Sequence, residues 1–167
     1  LLEPSDIPHL ETRPYSLPAG AYQRRFEAGH IALCAVVDGV IAGYNWAAFS
    51  HACYMFGTDE QMISFPLAKD TAYVYDFFVF EDFRGRGIGP VMKQHMYEHL
   101  KKEGYRRSIS AIFFTNSVSL KLALRLGGKP FGLDHAYRIG PWRKSFMGTR
   151  KEADRLKLWC RQFEEAG

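Results

Sequence analysis

The stretch from Thr71 to Gly104 constrains this chain more than any other: TAYVYDFFVF, then EDFRGRGIG, then PVMKQHMYEHLKKEG. Tyr73, Val74, Tyr75, Phe77, Phe78, Val79 and Phe80 are aromatic or β-branched and suit a pleated, buried strand. Gly85, Gly87 and Gly89 remove every second side chain from the loop that follows. The backbone can then turn tightly and a ligand can approach its amides. Pro90 suits a first helical turn, Val91, Met92, Met96 and Leu100 recur at helical spacing, and Gly104 is a helix stop. Bare N–H groups at that helix start, flanked by Arg84 and Arg86, make an anion site. Arginines interleaved with glycines exceed what a plain strand–helix turn needs.

Spacing separates the phosphate-binding loops of this kind. A P-loop needs G-x-x-x-x-G-K-[ST], and the chain has no Gly-Lys-Ser/Thr. In a dinucleotide fingerprint G-x-G-x-x-G is followed by an acid at the end of the next strand. Here Gly85-Arg-Gly87-Ile-Gly89 is one residue too short, and Ile109 to Phe114 carries no acid. The hexamer Arg84-Gly85-Arg86-Gly87-Ile88-Gly89 fits [QR]-x-x-G-x-[GA] at every fixed position. It resembles the pyrophosphate loop of the GNAT superfamily of acyl-CoA N-acyltransferases. With its strand, YVYDFFVFEDFRGRGIG is most similar to the polyamine and aminoglycoside acetyltransferase branches.

The resemblance implies an α/β GNAT-like fold. A mixed, mostly antiparallel central sheet is splayed between two parallel strands, 72–80 and 107–115, with helices on both faces. The element order supports it. AGAYQRRFEA, residues 19–28, reads as a short helix with Ser16 as cap and Gly29 as stop. HIALCAVV and VIAGYNWAAF flank Asp38-Gly39, a strong hairpin signal, and their apolar faces predict a hairpin inside a sheet covered on both sides. His51 to Lys69 reads as a long connection bordering the acceptor pocket. RRSISAIFFT alternates as a strand. Thr115 or Asn116 then caps a helix carrying Leu120, Ala123 and Leu124, ended by Gly127-Gly128. KPFGLDHAYRIG fits a closing hairpin.

The GNAT-like domain is thus assigned to residues 19–145. Residues 1–18, with Pro4, Pro8, Pro14 and Pro18, read as an extended lead-in in which the family's first strand and long helix have no counterpart. Residues 146–167 form an extra amphipathic helix. It opens on the capping box Thr149-Arg-Lys-Glu152 and carries Leu156, Trp159, Cys160 and Phe163 on one face. That face docks on its own domain or forms a homodimer contact.

With 167 residues, 47% hydrophobic and 15% aromatic, the chain can bury one substantial core. No apolar run approaches the roughly 20 residues that span a membrane, and LLEPSDIPHL lacks the pattern of a signal peptide. The chain begins at Leu1, as a trimmed product would. Cys34, Cys53 and Cys160 are odd in number and widely spaced, which suggests free thiols and a cytoplasmic setting. A net charge of +4 suits an anionic co-substrate and is too dispersed to argue for nucleic acid.

The resemblance implies acetyl-CoA, or another acyl-CoA, as co-substrate and a small-molecule or peptide amine as acceptor. Amides from Arg84, Gly85, Arg86, Gly87, Ile88 and Gly89 would hold the pyrophosphate, with both arginines adding charge. The main chain near Phe78 and Val79 would pair with the pantetheine, and Asn116 would contact the cofactor arm as well as capping its helix. The amine attacks the thioester directly, so a group must accept its proton. Asp76 is the acid in the strand interior and the first candidate, since a buried carboxylate costs several kcal/mol, by order of magnitude, unless partnered. A matching Asp occurs in family members that act on polycationic amines.

Tyr73 and Tyr75 fall where other members carry a proton-accepting Glu or His. A phenol of reference pKa about 10 is a weak base, so both read first as walls with a polar tip, and Tyr75 as the next candidate after Asp76. The position of the family's thiolate-protonating tyrosine is Ala123; Tyr137 of the last hairpin reads either as a core tyrosine or as a substitute acid. His51 and Cys53 fall short of a metal site, and Ser, His and Asp are too scattered for a hydrolytic triad. Two alternatives stand beside the acetyltransferase reading: a longer-chain N-acyltransferase with an aromatic tunnel, and a non-catalytic acyl-CoA-binding module.

Overall fold

The computed structural model describes residues 1–13, 17–55, 61–139, 142–149, 151, 152, 154 and 155, with the backbone alone in 53–55, 61–64, 134–139 and 142–147. These residues divide into two compact units, Leu1–Ala111 and Ile112–Gly167. In the first, α1 (Ile7–Glu11) and α2 (Ala21–Glu27) precede β1 (Ile31–Val37), β2 (Val40–Ala48), β3 (His51–Met55), β4 (Gln61–Pro66) and β5 (Thr71–Val79). Then come α3 (Ile88–Lys102) and β6 (Arg107–Ile109). The sheet order is β1-β2-β5-β6, antiparallel except for the parallel β5–β6 pair.

The Asp38-Gly39 turn has φ of 50° and 77°, the two positive angles a tight hairpin requires, and joins β1 to β2. Only β2 takes the interior place the sequence predicts for both strands: residues 42–48 are buried, while β1 is the edge strand and exposes Val36. One face of the sheet carries Tyr44 and Trp46 and is covered by Leu2, Ile7, Leu10 and Tyr22 from the N-terminal segments. The other carries Ala47 and Val74 under Met96 and Leu100 of α3. Each fully buried large side chain contributes about 1.5–3 kcal/mol, so both layers are needed to hold β2 and β5 flat between them.

Within the expected extended lead-in, residues 4–11 are helical rather than extended. Pro4–Asp6 form a 3-10 turn that runs into α1, with Pro4 and Pro8 in opening positions where the missing N–H costs nothing. Leu2 donates its N–H to Ala32 O of β1 at 2.8 Å. Proline spacing signalled breaks in the chain; burial of Leu2, Ile7 and Leu10 decided its shape. Ser16, the expected cap of the next helix, lies outside the described residues, and α2 starts instead from Gly20 in the left-handed region. His51 to Lys69 is likewise more than a connection, since β3 and β4 pair as an antiparallel hairpin.

In the second unit, α4 (Ser117–Arg125) is followed by β7 (Asp134–Ile139) and β8 (Trp142–Met147), an antiparallel hairpin. The predicted closing hairpin therefore takes its second strand from WRKSFM, beyond Gly140. Thr149 and Glu152 form the predicted capping box: Thr149 N donates to Glu152 Oε2 at 2.7 Å and Glu152 N to Thr149 Oγ1 at 3.3 Å. Leu156, Trp159, Cys160 and Phe163, the face expected to dock or to form a homodimer contact, lie outside the described residues. Among the described residues no helix is long and apolar enough to cross a membrane.

Lys93 sits on the inner face of α3 with only 3% of its surface exposed, its Nζ 5.2 Å from the centre of the Phe77 ring. Burial lowers its pKa, so the unfolded chain binds that proton more readily and stability rises with pH towards lysine's ordinary value of about 10.4. Lys93→Met should therefore raise the thermal midpoint by roughly 2–4 °C at neutral pH, with the gain shrinking as pH rises. Calorimetry at pH 7 and pH 10 checks this; a lowered midpoint at pH 7 would refute it.

Candidate active site

The glycine loop has the shape its sequence requires. Gly85 and Gly87 both have φ of 74°, and a Cβ added to either would meet nothing within 4 Å, so open space lies in front of both. Gly89 is needed for another reason: its Cβ would lie 3.2 Å from Phe77 Cζ. Helix α3 begins at Ile88 rather than at Pro90, and Gly87 is its N-cap with no side-chain bond to the first amides. The end of a long helix with uncapped N–H groups carries partial positive charge and accepts an anion.

The two arginines do different work. Arg84 Nε donates to Val79 O at 3.0 Å and its Nη1 to Glu81 at 3.2 Å, with the guanidinium 5.5 Å from the Phe78 ring. It ties the loop back to the strand, so the charge expected of it is balanced locally by Glu81. Arg86 is exposed and lies 5.5 Å from the Phe83 ring.

The parallel ladder joins Thr71 to Arg107, Ala72 to Ser108 and Tyr73 to Ile109, and stops there, whereas β5 continues to Val79. The predicted strand 107–115 is thus three residues long. This early end of pairing is the splay on which an extended ligand arm can add alongside Phe78 and Val79.

Asp76 has φ of 45°, a left-handed conformation that Asp tolerates better than most residues. The register with β2 passes from Tyr44↔Phe78 to Trp46↔Tyr75, so Asp76 and Phe77 together oppose Asn45. This is a β-bulge. Simple alternation would send Asp76 under α3 with Val74. The bulge turns it to the α2 face instead, where Arg25 Nη1 reaches its Oδ2 at 2.5 Å. Tyr75 lies on the same face, 4.9 Å below the Arg25 guanidinium and stacked on Tyr73 at 5.3 Å.

His30, which the sequence did not single out, completes the group: its Nδ1 lies 2.7 Å from Tyr75 Oη. Burial, and secondarily the Arg25 charge, lower its pKa below the ordinary imidazole value. The only sequence signal was its place after Gly29, the helix stop. Tyr44, on the same side, has its phenol held far above its usual range by burial, so it stays protonated, with its Oη 3.4 Å from Tyr22 Oη.

The remaining predicted residues belong to the second unit. Asn116 caps α4, its Oδ1 accepting from Ser119 N at 3.1 Å. Ala123 is half-buried within α4. Tyr137 is paired with Lys144 across the β7–β8 hairpin, and its side chain lies outside the described residues.

An open, uncapped helix start beside a parallel strand pair that parts early is the arrangement expected of an acyl-CoA transferase. The profile of the acetyltransferase (GNAT) family matches residues 3–127, and the chain belongs to that family. It moves the acetyl group of acetyl-CoA to an amine. Among solved structures it is similar to the ribosomal-protein-S18-alanine N-acetyltransferase from Escherichia coli, with 18% identity, a TM-score of 0.59, and 87% of this chain and 86% of that one covered. It is also similar to a putative acetyltransferase from Agrobacterium tumefaciens, at 15% identity and TM-score 0.57 over 83% of this chain and 96% of that one. A third is AAC(6')-Iy in complex with the bisubstrate analog CoA-S-monomethyl-acetylneamine, at 22% identity and TM-score 0.56 over 86% of this chain and 94% of that one. At these identities the likeness is one of fold. No curated protein sequence matches the chain.

Arg25 and Asp76 are mostly withdrawn from solvent, with side chains 11% and 24% exposed. A double-mutant cycle of Arg25→Leu and Asp76→Asn, followed by denaturant unfolding, should give a coupling of about 1–3 kcal/mol. A coupling below about 0.5 kcal/mol, the range of a solvent-screened surface pair, would remove the clamp from this account.

Proposed function

We propose that acetyl-CoA binds with its pyrophosphate on the amides of Arg84 to Gly89 and its arm along β5 at Phe78 and Val79. The observation that carries this is the uncapped start of α3, opened by Gly85 and Gly87 at the point where β5 and β6 have parted. The thioester then lies near the bulge, and the acceptor amine enters on the α2 face, where Tyr75 and Asp76 are half-exposed.

The acceptor we infer is a single amine, such as the α-amine of a peptide or small molecule, rather than a polycation. Asp76 is the acid that would draw a polyamine or aminoglycoside to the strand, and Arg25 already balances its charge. A second cationic group would meet Arg25 rather than a bare carboxylate. The E. coli neighbour is a ribosomal-protein-alanine N-acetyltransferase by its description; AAC(6')-Iy, solved with the neamine-derived analog, represents the competing acceptor type. Acetyl-CoA turnover with an alanine-initiated peptide should exceed turnover with neamine or spermidine in kcat/KM. A tenfold preference for either polycation would reverse the assignment.

Calorimetry of CoA binding tests the cradle. Gly87→Glu puts a carboxylate where the pyrophosphate sits and should abolish measurable binding. Gly87→Ala imposes the same left-handed strain, of roughly 1–2 kcal/mol, without the charge, and should keep most of the affinity. Arg86→Glu should weaken binding by about 3–10-fold, since an exposed charge is screened by salt. Unchanged affinity in Gly87→Glu would exclude the loop as the CoA site.

A further inference from the structure

We infer that Tyr75 and His30 act as one proton-accepting unit in acetyl transfer, Tyr75 touching the acceptor amine and His30 acting through it, with Arg25 positioning both. The inference rests on the acceptor entering at the α2 face. Its observation is geometric. Tyr75 Oη lies 2.7 Å from His30 Nδ1, their rings meet edge to face at 5.7 Å, and both residues are half-exposed.

Local structure explains how a helix end and a strand interior come to share a hydrogen bond. Helix α2 ends on Gly29 with φ of 74°. Gly29 N donates to Phe26 O at 2.9 Å and His30 N to Arg25 O at 3.0 Å. These two bonds are the Schellman stop, and they place Arg25 and His30 together at the start of β1. The bulge at Asp76 does the rest: it brings Asp76 onto the face of Tyr75, so that Arg25 is anchored by Asp76 while its guanidinium covers Tyr75.

Asp76 is therefore an anchor rather than the base, its Oδ2 held by the guanidinium. Among the described residues, the groups facing the pair include Arg25 of α2 and Asp76 and Tyr73 of β5. Burial and Arg25 favour the neutral imidazole, the form that can accept. With Nε2 carrying the ring proton, Nδ1 accepts from Tyr75. As the neutral amine attacks the thioester carbonyl, the C–N bond forms and the C–S bond breaks, its electron pair leaving on sulfur. The amine proton passes to Tyr75 Oη while the phenol proton passes to His30 Nδ1. The thiolate then takes a proton from water and the imidazolium returns one to it. A phenol alone is a weak base; coupled to an imidazole that takes its proton, it becomes a relay.

Two measurements on the full chain test this. In nitrogen-15 NMR, assigned with His30→Gln, the His30 ring should be neutral at pH 7 with Nδ1 unprotonated; an imidazolium at pH 7, or the Nδ1–H tautomer, overturns the relay. Thiol release from acetyl-CoA is followed with an alanine-initiated peptide, neamine or spermidine, using whichever amine turns over. Tyr75→Phe and His30→Gln should each lower kcat about 10²-fold, the double variant no further, while the CoA dissociation constant stays within about twofold. The acidic limb of the wild-type pH–rate profile should lie below the imidazole value of about 6.5 and vanish in His30→Gln. Only the slope of the amine's own ionisation would then remain. Wild-type kcat and pH profile in both variants would reduce the contact to packing. CoA binding without turnover of any of these amines would count against the acceptor assignment instead, and the NMR tautomer then decides the relay alone.

Discussion

The ion pair between Arg25 and Asp76 holds a strand in a conformation it would not otherwise keep. A non-glycine residue in the left-handed region costs on the order of 1–3 kcal/mol, and at Asp76 that cost falls in a central strand of the sheet. The guanidinium from α2 offsets it, and in doing so fixes the phase of β5. Before Asp76 the odd-numbered tyrosines face α2; after it the even-numbered Phe78 does, while Phe77 turns under α3. Without the bulge, Asp76 would lie among Val74 and Met96 in an apolar layer.

The bulge has a counterpart on β2. Asn45 is fully buried opposite the inserted residue, and both polar atoms of its amide lack partners among the described residues. Each such atom costs on the order of 1–3 kcal/mol. Asn45 and Asp76 thus place two unfavourable local terms side by side at the centre of the sheet, where strain and function commonly coincide. The flanking aromatic layer supplies the stability that tolerates them: Trp46 and Tyr22 stack at 6.3 Å, and Phe26 meets Trp46 at 5.1 Å.

Charge at the other end of β5 is arranged around the loop. Arg84 is paired with Glu81, so the positive groups left at the loop, among the described residues, are the uncapped start of α3 and exposed Arg86. A chain of modest net charge thus concentrates positive potential at the start of one helix. The two ends of the strand differ accordingly: positive groups at the loop, and the balanced Arg25–Asp76 pair beside the tyrosines.

Much of this was legible in order along the chain. Asp38-Gly39 could only be a tight turn, Gly104 and Gly29 could only be helix stops, and the alternation of arginine and glycine from 84 to 89 named the loop. Where the reading went astray, long-range burial had overruled local signals. Pro4 and Pro8 look like breaks, yet Leu2, Ile7 and Leu10 pull that segment into helical turns against β1. HACYM and QMISFP look mixed, yet they pair as a hairpin because partner backbone satisfies their amides. RRSISAIFFT alternates well enough for a strand, yet only three of its residues join the sheet.

The sequence by itself determined the loop, the helix it opens and the family, because glycine conformation and the spacing of backbone amides are local properties. Tertiary structure alone decided which groups could meet at the strand. Tyr75 and Asp76 are neighbours in any reading, but alternation predicts opposite faces for them. Only the pairing of β5 with β2 reveals the extra residue that puts both on one side. Arg25 and His30 lie some fifty residues away in sequence from their partners. Their roles depend on the angle at which α2 crosses the sheet, which no periodicity in the chain encodes.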